Sequence, residues 1–198
     1  MSRKFIQLQT AQFLLAVLLF GPAIGYAGPP GVPSAAAVDL SKIAIDNFAR
    51  VNANYYRGAE PDDDQYAPLA AFGIKTVIDL RSDDADAEDQ SLVERAGMKY
   101  AHIPMTTHQA PTPEVITAFL QMVLDPANQP VYVHCVGGRH RTGVMTAVYR
   151  MTQERWTAEQ AFREMKQYKF GPDFLHPEFK RFVYGYHPDQ AVVAANGG

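Results

Sequence analysis

The chain has 198 residues, of which 47% are hydrophobic and 20% are charged, and its formal net charge is −3. This length and composition are typical of one soluble globular domain, and they exclude disordered and fibrous chains. The negative net charge argues against a protein that binds nucleic acid through bulk charge, so we expect no nucleic-acid partner. Any anion binding must therefore be confined to one local site.

The first 27 residues have the pattern of a secretory signal peptide. Arg3 and Lys4 give a positive start, residues 13–20 (FLLAVLLF) are apolar, and Gly25-Tyr26-Ala27 offers small residues at a cleavage point. The apolar run is short for a membrane span, which needs about 20 residues. We therefore expect an exported protein, periplasmic or secreted, with no stable membrane insertion after signal removal. The alternative is a protein anchored to a membrane by an uncleaved N-terminal segment.

Residues 41–188 form the predicted domain, between a flexible lead-in rich in Pro, Gly and Ala (28–40) and a loose tail (189–198). Strand and helix patterns alternate along this domain, as they do in α/β proteins. In chain order the patterns predict a strand at 55–57, a helix at 61–72, a strand at 75–80, a helix at 86–96, a strand at 99–104, a helix at 112–124, a strand at 131–134, a helix at 143–153, a helix opened by the capping box 157–160, and a helix at 177–184. We expect a central, largely parallel β-sheet flanked by helices.

Cys135 is the only cysteine in the sequence, so it cannot form a disulfide within the chain. Such a thiol is either a small buried apolar group or a reactive group. Its neighbours favour the reactive group, because an apolar strand runs into a loop with Gly137 and Gly138 and then into a helix. Helix N-termini leave amide N–H groups free, and the helix dipole attracts anions there. The junction therefore predicts an anion site.

The loop from Cys135 to Arg141 can enclose a phosphate group. Successive amide N–H groups can form a concave nest around phosphate oxygens, and the glycines permit backbone torsions that would strain other residues. The planar guanidinium of Arg141 can bind two oxygens at once. The loop residues with predicted substrate-binding roles are Val136, Gly137, Gly138, Arg139 and His140.

The predicted chemistry uses the Cys135 thiolate as the nucleophile, since a helix N-terminus and cationic neighbours favour a thiolate. The thiolate takes the phosphoryl group to form a thiophosphate, and water then releases phosphate. The amide groups and Arg141 stabilise the charge on the transferring oxygens. We expect the Thr142 hydroxyl to hydrogen-bond the sulfur, and His134 to order the loop. The mechanism requires no metal and no other cofactor.

The run HC-x-x-G-x-x-R-T-G at 134–143 resembles the signature of the protein tyrosine phosphatase superfamily. Within that superfamily the chain is similar, over about residues 45–185, to the atypical dual-specificity phosphatases of plants and fungi. The segments that carry this likeness are Asn47-Phe48, residues 56–61 (YRGAEP), 73–81 (GIKTVIDLR), 126–130 (PANQP) and 138–143, and Trp156. The resemblance implies the single-domain cysteine-phosphatase α/β fold. It also implies substrates that are phosphotyrosine proteins or inositol polyphosphates and pyrophosphates.

Arg139 and His140 bear on the choice of substrate. The plant and fungal family usually has Lys where this chain has Arg139. With Arg141 these residues put up to three cationic groups in one loop of an acidic protein. Arg139 is either a solvated charge or a contact for additional phosphates. His140 is expected to be partly charged near neutral pH and to sharpen the pH dependence.

The general acid is the weakest part of the pattern. Members of the resembling family commonly carry an Asp in the loop that here reads MTTHQAPTP (105–113), which has no carboxylate. His108 is the candidate acid, while Glu114 is expected to be a helix-dipole partner. Asp79 and Arg81 are expected to be structural. A weak acid favours good leaving groups, so the sequence predicts aryl phosphates or pyrophosphates over phosphoserine.

Four functions remain open from the sequence. The first is a phosphotyrosine or aryl phosphatase, and the second is an inositol polyphosphate or pyrophosphate phosphatase. The third is a sulfurtransferase, which the length of the loop between Cys135 and Arg141 and the Thr-Gly that follows it disfavour. The fourth is a phosphate-binding module without activity, which the missing Asp allows.

Overall fold

The structure is a computed structural model that describes residues 43–82 and 87–188. The predicted signal peptide (1–27), lead-in (28–40) and tail (189–198) lie outside these residues and stay predictions. In the described ranges, no helix has the length and apolar character that a membrane crossing requires.

The described residues form a five-stranded sheet with helices packed on both faces. The sheet order is β1-β2-β5-β3-β4, in which β1 is antiparallel to β2 and the other neighbours are parallel. This arrangement confirms the predicted α/β fold class. The strands are β1 (Ala49–Asn52), β2 (Tyr55–Ala59), β3 (Thr76–Arg81), β4 (Lys99–Met105) and β5 (Val131–Cys135), and the helices are α1 (Tyr66–Phe72), α2 (Ala87–Arg95), α3 (Pro113–Leu124), α4 (Arg141–Gln153), α5 (Ala158–Gln167) and α6 (Pro177–Gly185).

One strand and several element boundaries differ from the sequence prediction. Strand β1 was not predicted, because Ala49–Asn52 reads ARVN and has no apolar run at the edge of the sheet. The first helix begins at Tyr66 instead of 61, after a 3₁₀ turn at Asp63–Gln65. Pro68 lacks an amide N–H and its ring clashes with the carbonyl four residues before it, so a regular α-helix can carry it only in the first turn. Helix α4 begins at Arg141, two residues before the predicted start at Gly143.

Two helix starts follow from capping residues. Thr112 caps α3 by accepting a hydrogen bond from the amide of Val115, and Pro113 follows in the first turn. Thr157 and Gln160 form the predicted capping box of α5, with hydrogen bonds of 3.2 and 2.8 Å. Both caps fix the entry of a helix into the domain.

Strand β5 lies in the centre of the sheet, and all five of its residues are buried. Val131, Val133 and Cys135 belong to the core cluster that contains α3 to α6, while Tyr132 belongs to the cluster on the other face. This alternation is the period of a strand. It directs Cys135 toward the face covered by α4, at the point where β5 ends and the loop to α4 begins.

Candidate active site

We call the loop from Cys135 to Arg141 the phosphate loop. Three consecutive backbone carbonyls of this loop accept hydrogen bonds from residues outside it. The carbonyl of Val136 accepts from the amide of Glu60 at 3.1 Å. That of Gly137 accepts from Nδ2 of Asn47 at 2.8 Å, and that of Gly138 from a guanidinium nitrogen of Arg57 at 2.6 Å. These carbonyls are engaged by β2, the residue after it and the segment before β1, and no described residue accepts a hydrogen bond from the amides of 137–139, which can therefore face a ligand. This is the arrangement of an anion nest.

Gly138 is the position where the phosphate loop lies closest to the sheet. Its φ is +63°, in the left-handed region that favours glycine. A Cβ added to it would lie 2.4 Å from the carbonyl carbon and oxygen of Gly58 and 2.6 Å from the amide nitrogen of Ala59. Both the torsion and the contact therefore require glycine at 138. The sequence predicted the torsion but not the contact.

Cys135 and Arg141 lie at the two ends of the phosphate loop. Cys135 is the last residue of β5 and is only 3% exposed, and Arg141 is the first residue of α4 and is also buried. A guanidinium nitrogen of Arg141 donates to the carbonyl of Met105 at 3.1 Å, which ties this side chain to the end of β4. The structure thus holds the predicted nucleophile and the predicted phosphate-binding arginine at one strand-to-helix junction.

The pocket at this junction has a volume of about 410 Å³. Six of its lining residues come from the phosphate loop and one comes from the segment after β4; they are Cys135, Val136, Gly137, Arg139, His140, Arg141 and Thr107. Four of the predicted site residues do not line it: His108, His134, Gly138 and Thr142. A pocket at the carboxyl ends of parallel strands and the N-terminus of a helix suits a phosphate group.

The comparisons with known proteins agree with this geometry. The family described as "DSP-PTPase phosphatase fused to NAD+ Kinase" matches residues 30–179, more than half of the chain. The chain belongs to the DSP-PTPase family. This membership confirms the predicted superfamily, and it makes the protein a phosphatase of the protein-tyrosine and dual-specificity type.

Two relatives of this phosphatase are named for different activities. The dual specificity protein phosphatase TpbA of Pseudomonas aeruginosa is 30% identical over 196 residues, covering 98% of this chain and 86% of TpbA. The inositol diphosphatase SIW14 of Saccharomyces cerevisiae is 28% identical over 138 residues, covering 67% of this chain and 49% of that protein.

Solved structures of both proteins share the fold. A TpbA variant in complex with pTyr has a TM-score of 0.65 at 27% identity, covering 82% of this chain and 95% of that one. The Siw14 catalytic domain in complex with citrate also has a TM-score of 0.65, at 24% identity, covering 77% and 94% of the respective chains.

Arg57 holds the phosphate loop through its hydrogen bond to Gly138, and in the sequence it stood out only as part of the family likeness at 56–61. It lies in β2, is fully buried, and stacks over the ring of Tyr168 at 4.2 Å. Burial lowers the pKa of its guanidinium, and attraction to Cys135 is among the interactions that oppose this shift. The sign available in the sequence was an arginine inside the predicted strand at 55–57.

His134 and Asp79 lie beneath the phosphate loop. His134 is buried, with its Nδ1 4.0 Å from Oδ1 of Asp79, too long for a hydrogen bond. Burial lowers the pKa of His134 to about 4, so the ring is neutral at the pH of most assays. Burial opposes ionisation of Asp79, but hydrogen bonds from Arg81 outweigh it and hold the pKa of Asp79 below its usual value.

Arg81 completes a buried ion-pair cluster with three carboxylates, those of Asp79, Glu60 and Asp89. Its hydrogen bonds raise the pKa of its guanidinium despite burial, so Arg81 stays charged, whereas burial raises the pKa of Glu60. Tyr100 donates to Asp79 at 2.9 Å from β4. This cluster joins β2, β3, β4 and α2, as expected for Asp79 and Arg81 as structural residues.

His140 and Arg139 have different surroundings in the phosphate loop. Nε2 of His140 lies 3.0 Å from the carbonyl of Phe170, and its ring packs on His176 with centroids 3.8 Å apart. Burial lowers the pKa of His140, so the ring carries less charge near neutral pH than the sequence predicted. Arg139 is about half exposed and lies 3.9 Å from Asp46.

His108 and Thr142 are placed less favourably than predicted. His108 is exposed and stacks on His176, with ring centroids 5.5 Å apart, while its neighbour Thr107 lines the pocket. The hydroxyl of Thr142 is buried and makes no hydrogen bond with any described residue, Cys135 included. The acid role of His108 and the sulfur contact of Thr142 stay predictions.

Proposed function

We propose that this DSP-PTPase hydrolyses aryl phosphates, phosphotyrosine in proteins above all, through a thiophosphate on Cys135. The observation that carries the proposal is the phosphate loop, in which three engaged carbonyls leave the amide groups free above a buried cysteine. The similarity to TpbA, solved with pTyr, supports the choice of substrate.

The residues of the site account for both steps of the reaction. In the first step the Cys135 sulfur forms a bond to phosphorus, and the phosphorus–oxygen bond to the phenol breaks, with a proton going to the leaving oxygen. In the second step water attacks phosphorus, the sulfur–phosphorus bond breaks, and inorganic phosphate is released. The loop amides and Arg141 stabilise the three transferring oxygens in both steps.

The leaving group should decide which phosphate esters are cleaved. The 105–113 segment has no carboxylate, and His108 lies outside the pocket lining. A phenol has a pKa of about 10, whereas an alkyl alcohol is a far weaker acid and depends more on protonation as it leaves. We therefore expect phosphotyrosine peptides to be cleaved much faster than phosphoserine peptides.

The test is phosphate release from matched phosphotyrosine and phosphoserine peptides by the wild type and by Cys135→Ser. We expect the substitution to lower kcat by about 10⁴-fold or more while peptide binding is retained. A wild type that binds the peptides without releasing phosphate would show a binding module. Equal rates on the two peptides would refute the leaving-group argument.

A second candidate substrate is an inositol polyphosphate or pyrophosphate, which the position of Arg139 favours. Its ion pair with Asp46 is long and exposed on both sides, and such pairs contribute little to stability. The side chain is therefore available for a second phosphate at the pocket. The relative SIW14 is named an inositol diphosphatase.

Arg139→Ala separates the two substrates. If polyphosphates are the substrates, the substitution should raise their KM about tenfold or more and change phosphotyrosine hydrolysis much less. Arg163→Ala is the matched control, because Arg163 is also exposed, has a long ion pair with Glu159, and does not line the pocket. Equal small effects of both substitutions on every substrate would refute the second candidate.

We also propose that the protein is exported, on the pattern of residues 1–27 alone. The mature chain should begin at Gly28, and it should be recovered from the periplasmic or culture fraction. N-terminal sequencing after cell fractionation tests both statements. A chain that keeps residues 1–27 and sediments with membranes would support the anchored alternative instead.

A further inference from the structure

Three side chains that do not line the pocket converge beside the phosphate loop. His108 comes from the 106–112 loop after β4, His176 immediately precedes α6, and Glu178 lies in the first turn of α6. One ligand atom from each of them can be chosen so that all three atoms lie within 4.8 Å of one another. Two imidazoles and a carboxylate form a ligand set that suits zinc.

The spacing of the ligand atoms fits a tetrahedral cation. Metal–ligand bonds of about 2.0–2.1 Å at tetrahedral angles place two ligand atoms about 3.3 Å apart. Nδ1 of His176 and Oε1 of Glu178 are 3.2 Å apart, so this pair is already at the required spacing. Ligand atoms that lie within 4.8 Å of one another need to close by about 1.5 Å at most to reach this spacing, and the exposed His108 can supply that movement.

His176 is held in place independently of any cation. Its ring packs against those of His140 at 3.8 Å, Phe179 at 5.8 Å and Phe170 at 6.1 Å. The side chains of His176 and Glu178 are 12% and 18% exposed, so both side chains are partly accessible to solvent. Two ligands are thus preorganised at a partly exposed position, and the third comes from an exposed loop.

We infer that His108, His176 and Glu178 bind a divalent cation of the zinc class. The bound cation joins the 106–112 loop to α6, next to the phosphate loop. Because Thr107 lines the pocket and directly precedes His108, the cation fixes one wall of the pocket. The site shares His108 with the predicted acid role, but its existence does not depend on which phosphate ester is the substrate.

The test is calorimetric titration of Zn²⁺ into the Cys135→Ser protein, since thiolates also bind zinc and this background removes the only one. We expect one Zn²⁺ per chain. Adding Glu178→Gln should weaken binding at least tenfold, whereas adding His187→Gln, at an exposed histidine outside the cluster, should not change it.

A second variant guards against a folding defect in Glu178→Gln. His108→Asn removes the ligand on the exposed loop, so it should lose affinity to a similar extent while the melting temperature without metal is unchanged. Co²⁺ supplies an independent readout, because a site with few ligands gives strong visible absorption bands that hydrated Co²⁺ does not. Absence of binding in the Cys135→Ser protein, or binding that survives both ligand substitutions, would overturn the site.

Discussion

Two loops face the pocket of this phosphatase, and they are built in opposite ways. In the phosphate loop, three consecutive carbonyls are bonded to Glu60, Asn47 and Arg57, and Gly138 contacts the backbone of β2. In the 106–112 loop, residues 106–111 make no hydrogen bond within the part of the chain that the structure describes, and most of their side chains are exposed.

The difference follows from what each loop has to do. Phosphoryl transfer depends on positioning and on charge stabilisation, so the donors that surround the phosphate must be fixed before the substrate arrives. A group that donates a proton needs only to reach the leaving oxygen in the bound complex. Changes in the phosphate loop should therefore alter both folding and turnover, whereas changes in the 106–112 loop should alter turnover alone.

Gly138→Ala should have the largest effect, because the added methyl group would clash where the phosphate loop packs against β2. The new methyl group would meet the backbone of Gly58 at 2.4 Å, and backbone cannot rotate away as a side chain can. We expect kcat/KM to fall about 10³-fold and the free energy of unfolding to fall by about 3 kcal/mol. Steady-state kinetics and urea denaturation measure the two effects.

Gly97→Ala is the matched control for this substitution. Gly97 also has a positive φ, +83°, but an added Cβ would meet nothing within 4 Å. It should therefore cost only the torsional strain, about 1 kcal/mol, with no change in kcat/KM. If the two variants behave alike, the contact of Gly138 with β2 is not what shapes the phosphate loop.

Arg57→Met should have the second largest effect, and it should separate turnover from stability. The substitution removes the donor to Gly138 and the positive charge behind Cys135, so kcat/KM should fall about 100-fold. Stability should change by less than about 1 kcal/mol, because a buried charge is costly and Met fills similar volume. Arg57→Lys, which keeps the charge, should recover part of kcat/KM. A large loss of stability in Arg57→Met would show that Arg57 is chiefly structural.

The third prediction concerns His134, which is buried beneath the phosphate loop. The pKa of His134 is about 4 in the folded protein, against 6.5 for an ordinary histidine, so between these pH values the unfolded chain binds a proton that the folded chain excludes. The stabilisation is complete above pH 6.5 and is lost as the pH falls toward 4. His134 should therefore lower stability by about 2 kcal/mol between pH 7.5 and pH 5.

Urea denaturation of the wild type and of His134→Gln at the two pH values measures this contribution. The loss of stability on acidification should be about 2 kcal/mol smaller in the variant, because Gln does not titrate. Equal losses in the two proteins would mean that His134 takes up its proton in the folded state as readily as in the unfolded chain.

The features that could be predicted from the sequence are those that depend on residues close together in the chain. The buried strand β5, the glycines of the phosphate loop and the capping box of α5 all follow from residues next to one another in the chain. The ARVN sequence of β1 carries no such signal. Its pairing with β2 depends on the sheet edge that β2 provides.

The support of the phosphate loop could not be predicted in this way. Asn47 reaches Gly137 and Arg57 reaches Gly138 across 90 and 81 residues of chain, and both contacts require β2 to lie beside β5 in its observed register. The residue types were visible in the sequence, but their partners were not. Arg57, an arginine inside a predicted strand, was a local sign that a polar partner had to exist.

His108→Gln should have the smallest effect, and it isolates the second loop. His108 is exposed and outside the pocket lining, so stability should change by less than about 0.5 kcal/mol. If His108 donates the proton, kcat on phosphotyrosine should fall about tenfold. This loss is smaller than is usual on removal of a general acid, because His108 does not line the pocket. On an aryl phosphate with a more acidic phenol the loss should shrink toward none, since that leaving group needs little protonation.

The rates are measured with a chelator present, so that cation binding does not contribute. A loss of equal size on both substrates would exclude His108 as the acid, and a loss of stability as large as that of Gly138→Ala would remove the contrast between the two loops.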